Sequence, residues 1–284
     1  MRNFKKALAL VLALTLCVCL LAACGSAPTT TTDTDEAATT GGELIMGTNA
    51  AFPPFEFTTS KGLVGEYDGI DIAIAQKIAE KAGMDLKVSD MEFDGLIAAV
   101  STGKVDMAVA GMTITEERLQ NVDFSDPYYV AEQVIVVPAD NEDITCAEDL
   151  KDGKKVGVVI GYTADSIVTE DLELDEANIV RANRGIDVVQ DVKNGRLDAV
   201  VIDSYTGIKL AEANGLKVIE DPEAFESEEY AIAVKKGNTE LLDIINETLA
   251  EMKANGEIEE LAAQYNDTAV EDAEEAPAEE KAAE

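Results

Sequence analysis

The sequence predicts an α/β fold of two similar lobes, each a mostly parallel sheet flanked by helices. From residue 43 onward, short β-branched runs alternate with helical patterns, an order that favours parallel sheets covered by helices. A segment at 103–109, GKVDMAV, also recurs at 195–201 as GRLDAVV, and each follows a helical pattern and launches a hydrophobic strand. Two related lobes would explain the recurrence, although this order is common before strands and coincidence stays open.

The predicted elements follow this alternation along the chain. In the first part, strands are expected at 43–48, 86–89 and 105–110, with helices at 71–81 and 94–101 that end at Gly83 and Gly103. In the middle, strands are expected at 134–137, 156–159, 179–182 and 199–202, with helices at 164–169, 188–194 and 205–214. The last part, 239–265, predicts two amphipathic helices that break near Asn255 and Gly256.

The composition excludes several kinds of chemistry. The chain of 284 residues carries a formal net charge of -35 and has no histidine. Catalysis by Ser-His-Asp or Cys-His nucleophiles, zinc sites that use histidine and acid–base catalysis by imidazole are therefore excluded. The acidity, with no visible basic patch, argues against nucleic-acid binding, which requires clustered lysine and arginine to neutralise phosphates. No metal or cofactor site is predicted.

The N-terminus predicts an export signal and a lipid anchor. Three basic residues precede a short apolar run at 7–20, which is typical of a cleaved signal peptide, here residues 1–23; an uncleaved membrane helix is the alternative. The tetrapeptide Leu-Ala-Ala-Cys that ends at Cys24 resembles the lipobox of bacterial lipoproteins, whose cysteine receives a diacylglyceryl group. We therefore expect a protein held by acyl chains on Cys24 at the extracytoplasmic face of the cell membrane.

Two flanking segments are expected to stay outside the folded body. Residues 24–42, the anchor cysteine and a Thr-, Ala- and Gly-rich stretch without periodicity, predict a flexible tether. Residues 267–284 are acidic with almost no large apolar side chains, so they cannot bury enough surface to fold. Between these segments lies one cysteine, Cys146, near a predicted helix start. No disulfide within the folded body is possible.

The stretch 111–129, GMTITEERLQNVDFSDPYY, predicts a position that binds an anion. Arg118 lies three residues after Thr115, a predicted helix N-cap, and Thr113 lies just after an apolar strand. The first turn of a helix offers unpaired backbone N–H groups, and a guanidinium can bind a carboxylate through two parallel hydrogen bonds. The alternative is that a threonine caps the helix and that Arg118 pairs with an acid at the surface.

A matching acidic position is Asp203. It follows the predicted strand at 199–202 and therefore lies at the carboxyl edge of the second lobe's sheet, where ligands of open α/β sheets bind. The alternative is that Asp203 caps the helix predicted at 205–214, and both roles can hold together.

The stretch 111–129 resembles the signature region of bacterial solute-binding protein family 3, the polar amino acid binders that include the glutamine- and histidine-binding proteins of ABC importers. The resemblance implies the type II periplasmic-binding-protein fold, in which two crossover strands join the lobes, here near 132–137 and 229–234. It implies that lobe 1 comprises residues 43–133 and 229–266 and that lobe 2 comprises residues 134–228.

The same resemblance implies how a bound amino acid would be held. Arg118 matches the arginine that holds the α-carboxylate, and Asp203 matches the aspartate that holds the α-ammonium. The resemblance adds four supplementary positions: backbone N–H groups at Thr113 and Thr163, the loop at Gly161, and the carbonyl of Gly111 toward the ammonium.

The resemblance also bears on the side chain of the ligand. Phe52 and Phe93 match aromatic residues that cover it, although packing in the core is their alternative. Asn49 stands where histidine-, lysine- and glutamine-binding relatives have aspartate, and Val159 and Ile202 stand where glutamine binders have lysine and histidine. A neutral polar or moderately apolar amino acid is therefore expected, and a basic one stays open because the whole chain is acidic.

These expectations define a monomeric, non-enzymatic amino-acid-binding lipoprotein that closes over its ligand by a hinge motion and docks on the permease of an ABC importer. One alternative is an enzyme similar to cyclohexadienyl or arogenate dehydratase, which would need a poised acid, with Glu56 as the nearest candidate. A second alternative is a sensor that reports an amino acid to a receptor. Asp71 also matches a family aspartate and is expected to cap its helix.

Overall fold

The computed structural model describes residues 41–266. The signal peptide, nearly all of the tether with Cys24, and the acidic tail lie outside this range. The described part forms fifteen strands: β1 (Glu43–Thr48), β2 (Ala51–Phe52), β3 (Glu56–Thr58), β4 (Tyr67–Asp68), β5 (Asp85–Asp90), β6 (Met107–Ala108), β7 (Val122–Phe124), β8 (Tyr129–Ala131), β9 (Gln133–Val137), β10 (Val156–Val159), β11 (Ile179–Ala182), β12 (Ala199–Asp203), β13 (Lys217–Glu220), β14 (Glu228–Tyr230) and β15 (Ala233–Lys235).

The helices occupy the predicted positions between these strands. Within residues 41–266 the α-helices are α1 (Ile70–Ala82), α2 (Leu96–Thr102), α3 (Glu116–Leu119), α4 (Thr163–Ser166), α5 (Gly185–Lys193), α6 (Ser204–Asn214), α7 (Thr239–Asn255) and α8 (Glu257–Asn266). The predicted stops at Gly83, Gly103 and Gly256 are confirmed, since each caps its helix with a left-handed backbone. In this part of the chain, no helix is long and apolar enough to cross a membrane.

Two sheets of five strands define two lobes. The sheet of lobe 1 has the order β5-β1-β6-β15-β7, and that of lobe 2 has the order β11-β10-β12-β9-β13. In the first sheet β15 alone is antiparallel to its neighbours, and in the second sheet β9 is the reversed strand. The prediction of two mostly parallel sheets is therefore confirmed.

The lobes are joined by a short antiparallel ribbon. Strand β8 pairs with β14, and Tyr129 lies opposite Tyr230. Strand β8 continues almost directly into β9 of lobe 2, and β14 continues into β15 of lobe 1. The reversed strand in each sheet is thus the one that enters from the ribbon. The ribbon begins slightly earlier in the chain than the ranges 132–137 and 229–234 in which the crossings were predicted.

The recurring Gly-basic-apolar-Asp segment performs the same task in both lobes. Asp106 accepts a hydrogen bond from the backbone N–H of Ile45 at 2.8 Å, and its own N–H donates to the carbonyl of Ile45. Asp198 makes the same reciprocal pair with Lys155, at 2.7 Å from that residue's N–H. Each aspartate therefore fixes the start of one parallel strand beside the next, and the recurrence reflects related lobe structures.

Lobe 1 is closed by the last helices of the chain. Helix α1 has four fully buried isoleucines and packs against α7 and α8. Burial on both sides explains why α1 is apolar over most of its surface, since it lies between the sheet and these helices. The predicted strand at 105–110 is shorter than expected, because the chain leaves the sheet after Ala108 while remaining buried.

Candidate functional site

A cavity lies between the two lobes, with about 200 Å³ of empty space that includes open solvent at its mouth. Its lining includes two charged side chains, of opposite sign, one from each lobe, and otherwise aromatic, small and hydroxyl residues: Phe52, Phe93, Ala110, Gly111, Thr113, Arg118, Tyr162, Thr163 and Asp203. Seven of the nine predicted ligand-binding residues are in this lining. Gly161 and Asn49 are outside it.

Arg118 is positioned by a one-turn helix beside the ribbon. The predicted cap is confirmed, because the Thr115 hydroxyl accepts a hydrogen bond from the Arg118 N–H at 3.2 Å. The preceding segment is held to β14, where Ile114 donates its N–H to the carbonyl of Glu229 at 3.1 Å. The predicted run of helical N–H groups is limited to a single turn, so Arg118 itself supplies most of the positive charge.

The guanidinium of Arg118 connects the two lobes. Its Nη1 donates to the carbonyl of Thr113 at 2.6 Å, and its Nη2 donates to the carbonyl of Gly161 in lobe 2 at 2.9 Å. Its Cζ lies 5.2 Å from the centroid of the Phe93 ring, a favourable cation–π distance. A guanidinium has five N–H donors, and these two bonds leave three for a ligand.

Burial lowers the pKa of Arg118, and the nearby carboxylates of Glu228 and Asp203 act in the opposite direction. An arginine remains charged under such a shift because its ordinary pKa exceeds 12. Among residues 41–266 Arg118 forms no ion pair of the kind considered as an alternative. Arg118 is partly buried and its guanidinium contacts carbonyl groups.

Asp203 is the last residue of β12 and is 4% exposed. It occupies the N-cap position of α6, but its side chain makes no capping hydrogen bond. Its Oδ1 instead accepts a hydrogen bond from the Tyr230 hydroxyl at 2.6 Å. Burial, followed by the charge of Glu228, raises the pKa of Asp203 to about 7. A cation placed beside Asp203 would lower this pKa again.

Glu228 is a site residue that the sequence reasoning missed. Its Oε2 accepts hydrogen bonds from the hydroxyl of Thr113 in lobe 1, at 2.6 Å, and from the hydroxyl of Thr163 in lobe 2, at 2.8 Å. Gln133 donates its Nε2 to Glu228 Oε1 at 3.1 Å and to the Thr163 hydroxyl at 3.2 Å. A hydroxyl has one proton to donate, so neither threonine hydroxyl can also donate to a ligand. Glu228 lies on the ribbon, one residue before the predicted crossing, which is the signal that could have identified it.

Two glycines allow the close approaches around the cavity. Gly111 has φ of 50°, and a Cβ there would lie 2.6 Å from Cε1 of Phe52. Gly161 has φ of 79°, and a Cβ there would lie 3.2 Å from Cβ of Asp94 in the other lobe. A side chain at either position would be strained and would push a neighbour away.

The expectation that Asp71 caps its helix is wrong. The N-cap of α1 is Gly69, without a side-chain capping bond. Asp71 is fully buried and points instead at the cleft backbone, where its Oδ2 accepts hydrogen bonds at 2.8 Å from the Gly111 N–H and from the Tyr128 hydroxyl. Asp71 therefore holds Gly111 in place behind the cavity.

Glu56 lies beside Asp71 and is also fully buried. Burial, followed by the charge of Asp71, raises the pKa of Glu56 well above its usual range, and burial raises that of Asp71 to about 6. The raised pKa favours the protonated form of Glu56, which can donate a hydrogen bond to Asp71. Apart from that hydrogen bond, three carboxyl oxygens of this pair have no partner among the described residues: Glu56 Oε1, Glu56 Oε2 and Asp71 Oδ1. Glu56 is not part of the cavity lining.

The aromatic residues form a connected wall. The ring of Tyr162 contacts that of Phe52 edge-on, with centroids 5.4 Å apart, and that of Phe93, with centroids 4.6 Å apart. Phe52 also stacks on Phe55 at 5.7 Å. The predicted rings therefore lie at the cavity, and Phe52 also belongs to the core.

Asn49, which was predicted to contact the ligand, lies outside the cavity lining and is hydrogen-bonded to the backbone. Its Nδ2 donates to the carbonyl of Met91 at 2.9 Å, and the residue is 5% exposed. Val159 and Ile202 are buried in their strands and are not in the lining. Among residues 41–266 no group of three or more Cys, Asp or Glu side chains is arranged as a metal site.

Comparison with known proteins identifies the family. Residues 44–268 match the bacterial extracellular solute-binding proteins, family 3. The chain belongs to this family. The arginine-binding extracellular protein ArtP of Bacillus subtilis (strain 168) is 39% identical over 223 residues, which cover 77% of this chain and 84% of that protein.

Solved structures with the same fold include binding proteins for different ligands. An ancestral arginine-binding protein, solved with arginine and with glutamine, is 41% identical with a TM-score of 0.71 and covers 79% of this chain and at least 97% of that chain. The ancestral amino acid-binding protein AncCDT-1, a precursor of cyclohexadienyl dehydratase, is 36% identical with a TM-score of 0.71 and covers 79% of this chain and 95% of that chain. The predicted family and two-lobed fold are thereby confirmed.

Proposed function

We propose that this protein is a lipid-anchored, extracytoplasmic protein that captures a polar amino acid and delivers it to an ABC importer. The observation that carries the proposal is the pair of opposite charges in one interlobe cavity, Arg118 from lobe 1 and Asp203 from lobe 2. An amino acid carries a carboxylate and an ammonium on one carbon, so a site that excludes water must pair both charges.

In this proposal the carboxylate is held by Arg118. Its three remaining N–H donors include one on each terminal nitrogen, which suits a carboxylate bound through two oxygens. Because the hydroxyls of Thr113 and Thr163 donate to Glu228, the proposal assigns their backbone N–H groups, and not their side chains, to the carboxylate.

The ammonium is assigned to Asp203. Its Oδ1 accepts a hydrogen bond from Tyr230, and Gln133 also hydrogen-bonds to this carboxylate, so both residues fix it in position. The carbonyl of Gly111 is proposed as a second acceptor, held in place by Asp71 through the Gly111 N–H. Binding of the cation stabilises the ionised form of Asp203, so ligand binding offsets the cost of a buried carboxylate.

Because Arg118 and Asp203 belong to different lobes, the proposed function requires the two lobes to close over the ligand. An open form would bind the ligand on one lobe, and closure would add the contacts of the other before the closed form docks on a permease. A neutral polar or moderately apolar ligand remains the leading proposal, and a basic one stays open. We propose no chemistry at the site, and the dehydratase alternative is disfavoured because Glu56, its candidate acid, lies outside the lining.

A thermal-shift panel of the twenty amino acids, with cystine, ornithine and arogenate, tests this function. A ligand that binds the native state raises its apparent stability, by about 2.7 kcal/mol at a concentration one hundred times the Kd. We expect one or a few amino acids to raise the Tm. Conversion of arogenate would favour the enzyme. Binding of an amino acid without any cognate permease or ATPase encoded beside the gene would favour the sensor.

Replacing Cys24 tests the proposed anchor. Cys24→Ser is expected to move the protein out of the membrane fraction, because each acyl CH₂ in the bilayer contributes about 0.8 kcal/mol and the variant carries no acyl chain. Fractionation and immunoblotting measure this, with ligand binding expected to be unchanged. Cys146→Ser is the matched control and should stay with the membrane. Recovery of Cys24→Ser in the membrane fraction would contradict the assignment.

A further inference from the structure

The loop that carries Gly161 also places a large ring in the cavity. Tyr162 immediately precedes α4 of lobe 2, lines the cavity and is 5% exposed. Its ring reaches across the cleft to the two aromatic residues of lobe 1, Phe52 and Phe93. The sequence alone indicates a role only for the backbone of this loop and none for the tyrosine side chain.

The contacts of this ring leave little space along the aromatic wall. Centroid separations of 5.4 Å to Phe52 and 4.6 Å to Phe93 are those of rings in direct contact, with no layer of atoms between them. The three rings therefore close this side of the cavity, and the side chain of an amino acid held between Arg118 and Asp203 would meet the Tyr162 ring along this wall.

Acidic groups that would suit a long cationic side chain lie next to lining residues but outside the lining. Glu56 lies opposite Phe52 in the pairing of β2 with β3, and Asp71 accepts a hydrogen bond from the N–H of Gly111. Glu56 and Asp71 are both fully buried and are absent from the cavity lining. Apart from Asp203, which is assigned to the ammonium, the lining therefore offers no carboxylate to a long cationic side chain.

We propose that Tyr162 is a specificity-determining residue that limits the length of the ligand side chain by filling the space beside Phe52 and Phe93. The inference rests on the proposed amino-acid-binding function and goes beyond it, because it selects short neutral side chains against long cationic ones.

Two variants at this position test the inference. Tyr162→Thr removes the ring and keeps a residue that is favourable at a helix N-cap, whereas Tyr162→Phe keeps the ring and serves as the matched control. Isothermal titration of the full chain in detergent would use serine, glutamine and arginine as ligands of increasing length. Retained thermal unfolding of each variant establishes that it is folded.

The wild type and Tyr162→Phe are expected to bind the tightest of the shorter ligands at least tenfold more strongly than arginine. Tyr162→Thr is expected to gain at least tenfold in arginine affinity. Strong arginine binding by the wild type, or an unchanged preference in folded Tyr162→Thr, would overturn the role of Tyr162 while leaving the amino-acid-binding function intact. Failure of all three proteins to bind any amino acid of the thermal-shift panel would overturn the proposed function, and this inference with it.

Discussion

Arg118→Ala is expected to weaken amino acid binding by roughly a hundred- to a few thousandfold. The variant leaves the ligand carboxylate buried without its counter-charge, and breaking a buried ion pair from one side costs about 3–5 kcal/mol. Isothermal titration with the amino acid identified in the panel measures the loss. The native fold should persist, because the two protein contacts of the guanidinium are to backbone carbonyls at the edge of the cavity.

Two further variants separate charge from geometry. Arg118→Lys keeps the positive charge but loses the planar fork, so an intermediate affinity is expected. Arg196→Ala removes an arginine whose side chain is 71% exposed and pairs with Asp191, and its affinity should equal that of the wild type. Wild-type affinity in folded Arg118→Ala would remove Arg118 from the site.

Asp203→Asn is expected to cause a loss of similar size, because it removes the charge that pairs with the ligand ammonium while keeping the shape of the side chain. The pH dependence of binding should change as well. Asp203 has a pKa of about 7 before the ligand binds, and the ammonium requires the ionised carboxylate. Wild-type affinity should therefore fall as the pH drops below about 7, by up to tenfold per pH unit.

The asparagine side chain cannot be protonated in this range, so the affinity of Asp203→Asn, although weaker, should not change with pH between 5 and 8. Asp143→Asn, at a side chain that is 83% exposed, is the control and should keep both the affinity and the pH profile of the wild type. An unchanged profile in folded Asp203→Asn would show that the titrating group is a different residue.

Elements with a regular pattern were predictable from the sequence. The apolar runs at 43–48 and 156–159 and the helix at 70–82, with its glycine stop, have the periodicity and punctuation that local structure requires. The repeated segment that contains Asp106 and Asp198 was also visible in the sequence, whereas the hydrogen bonds of these aspartates were found only in the structure. The short strands β2, β3, β4 and β7 were not predicted, because two or three residues are too few to show a period and depend on their sheet partners. Strand β13 was not predicted because only two of its four residues are apolar.

The candidate site was only partly predictable for a different reason. Arg118 and Asp203 were identified because each lies at the end of a strand or the start of a helix. The network of Thr113, Gln133, Thr163 and Glu228 joins residues up to 115 positions apart, and the sequence marks it only through the position of Glu228 beside the predicted crossing. Asp71 was misassigned because an aspartate in the first turn of a helix is usually favourable to that turn, whereas here tertiary burial determines its partners.

The most direct test of the pairing of Arg118 and Asp203 with the two charges of an amino acid compares the affinity of one amino acid with the affinities of two derivatives, each of which lacks one of these charges. The amino acid identified in the panel is compared with its N-acetyl derivative, which has no ammonium, and with its carboxamide, which has no carboxylate. Arg118 and Asp203 together predict that both derivatives bind at least about a hundredfold more weakly than the free amino acid. If the N-acetyl derivative binds as tightly as the free amino acid, the role of Asp203 is contradicted. If the carboxamide does so, the role of Arg118 is contradicted.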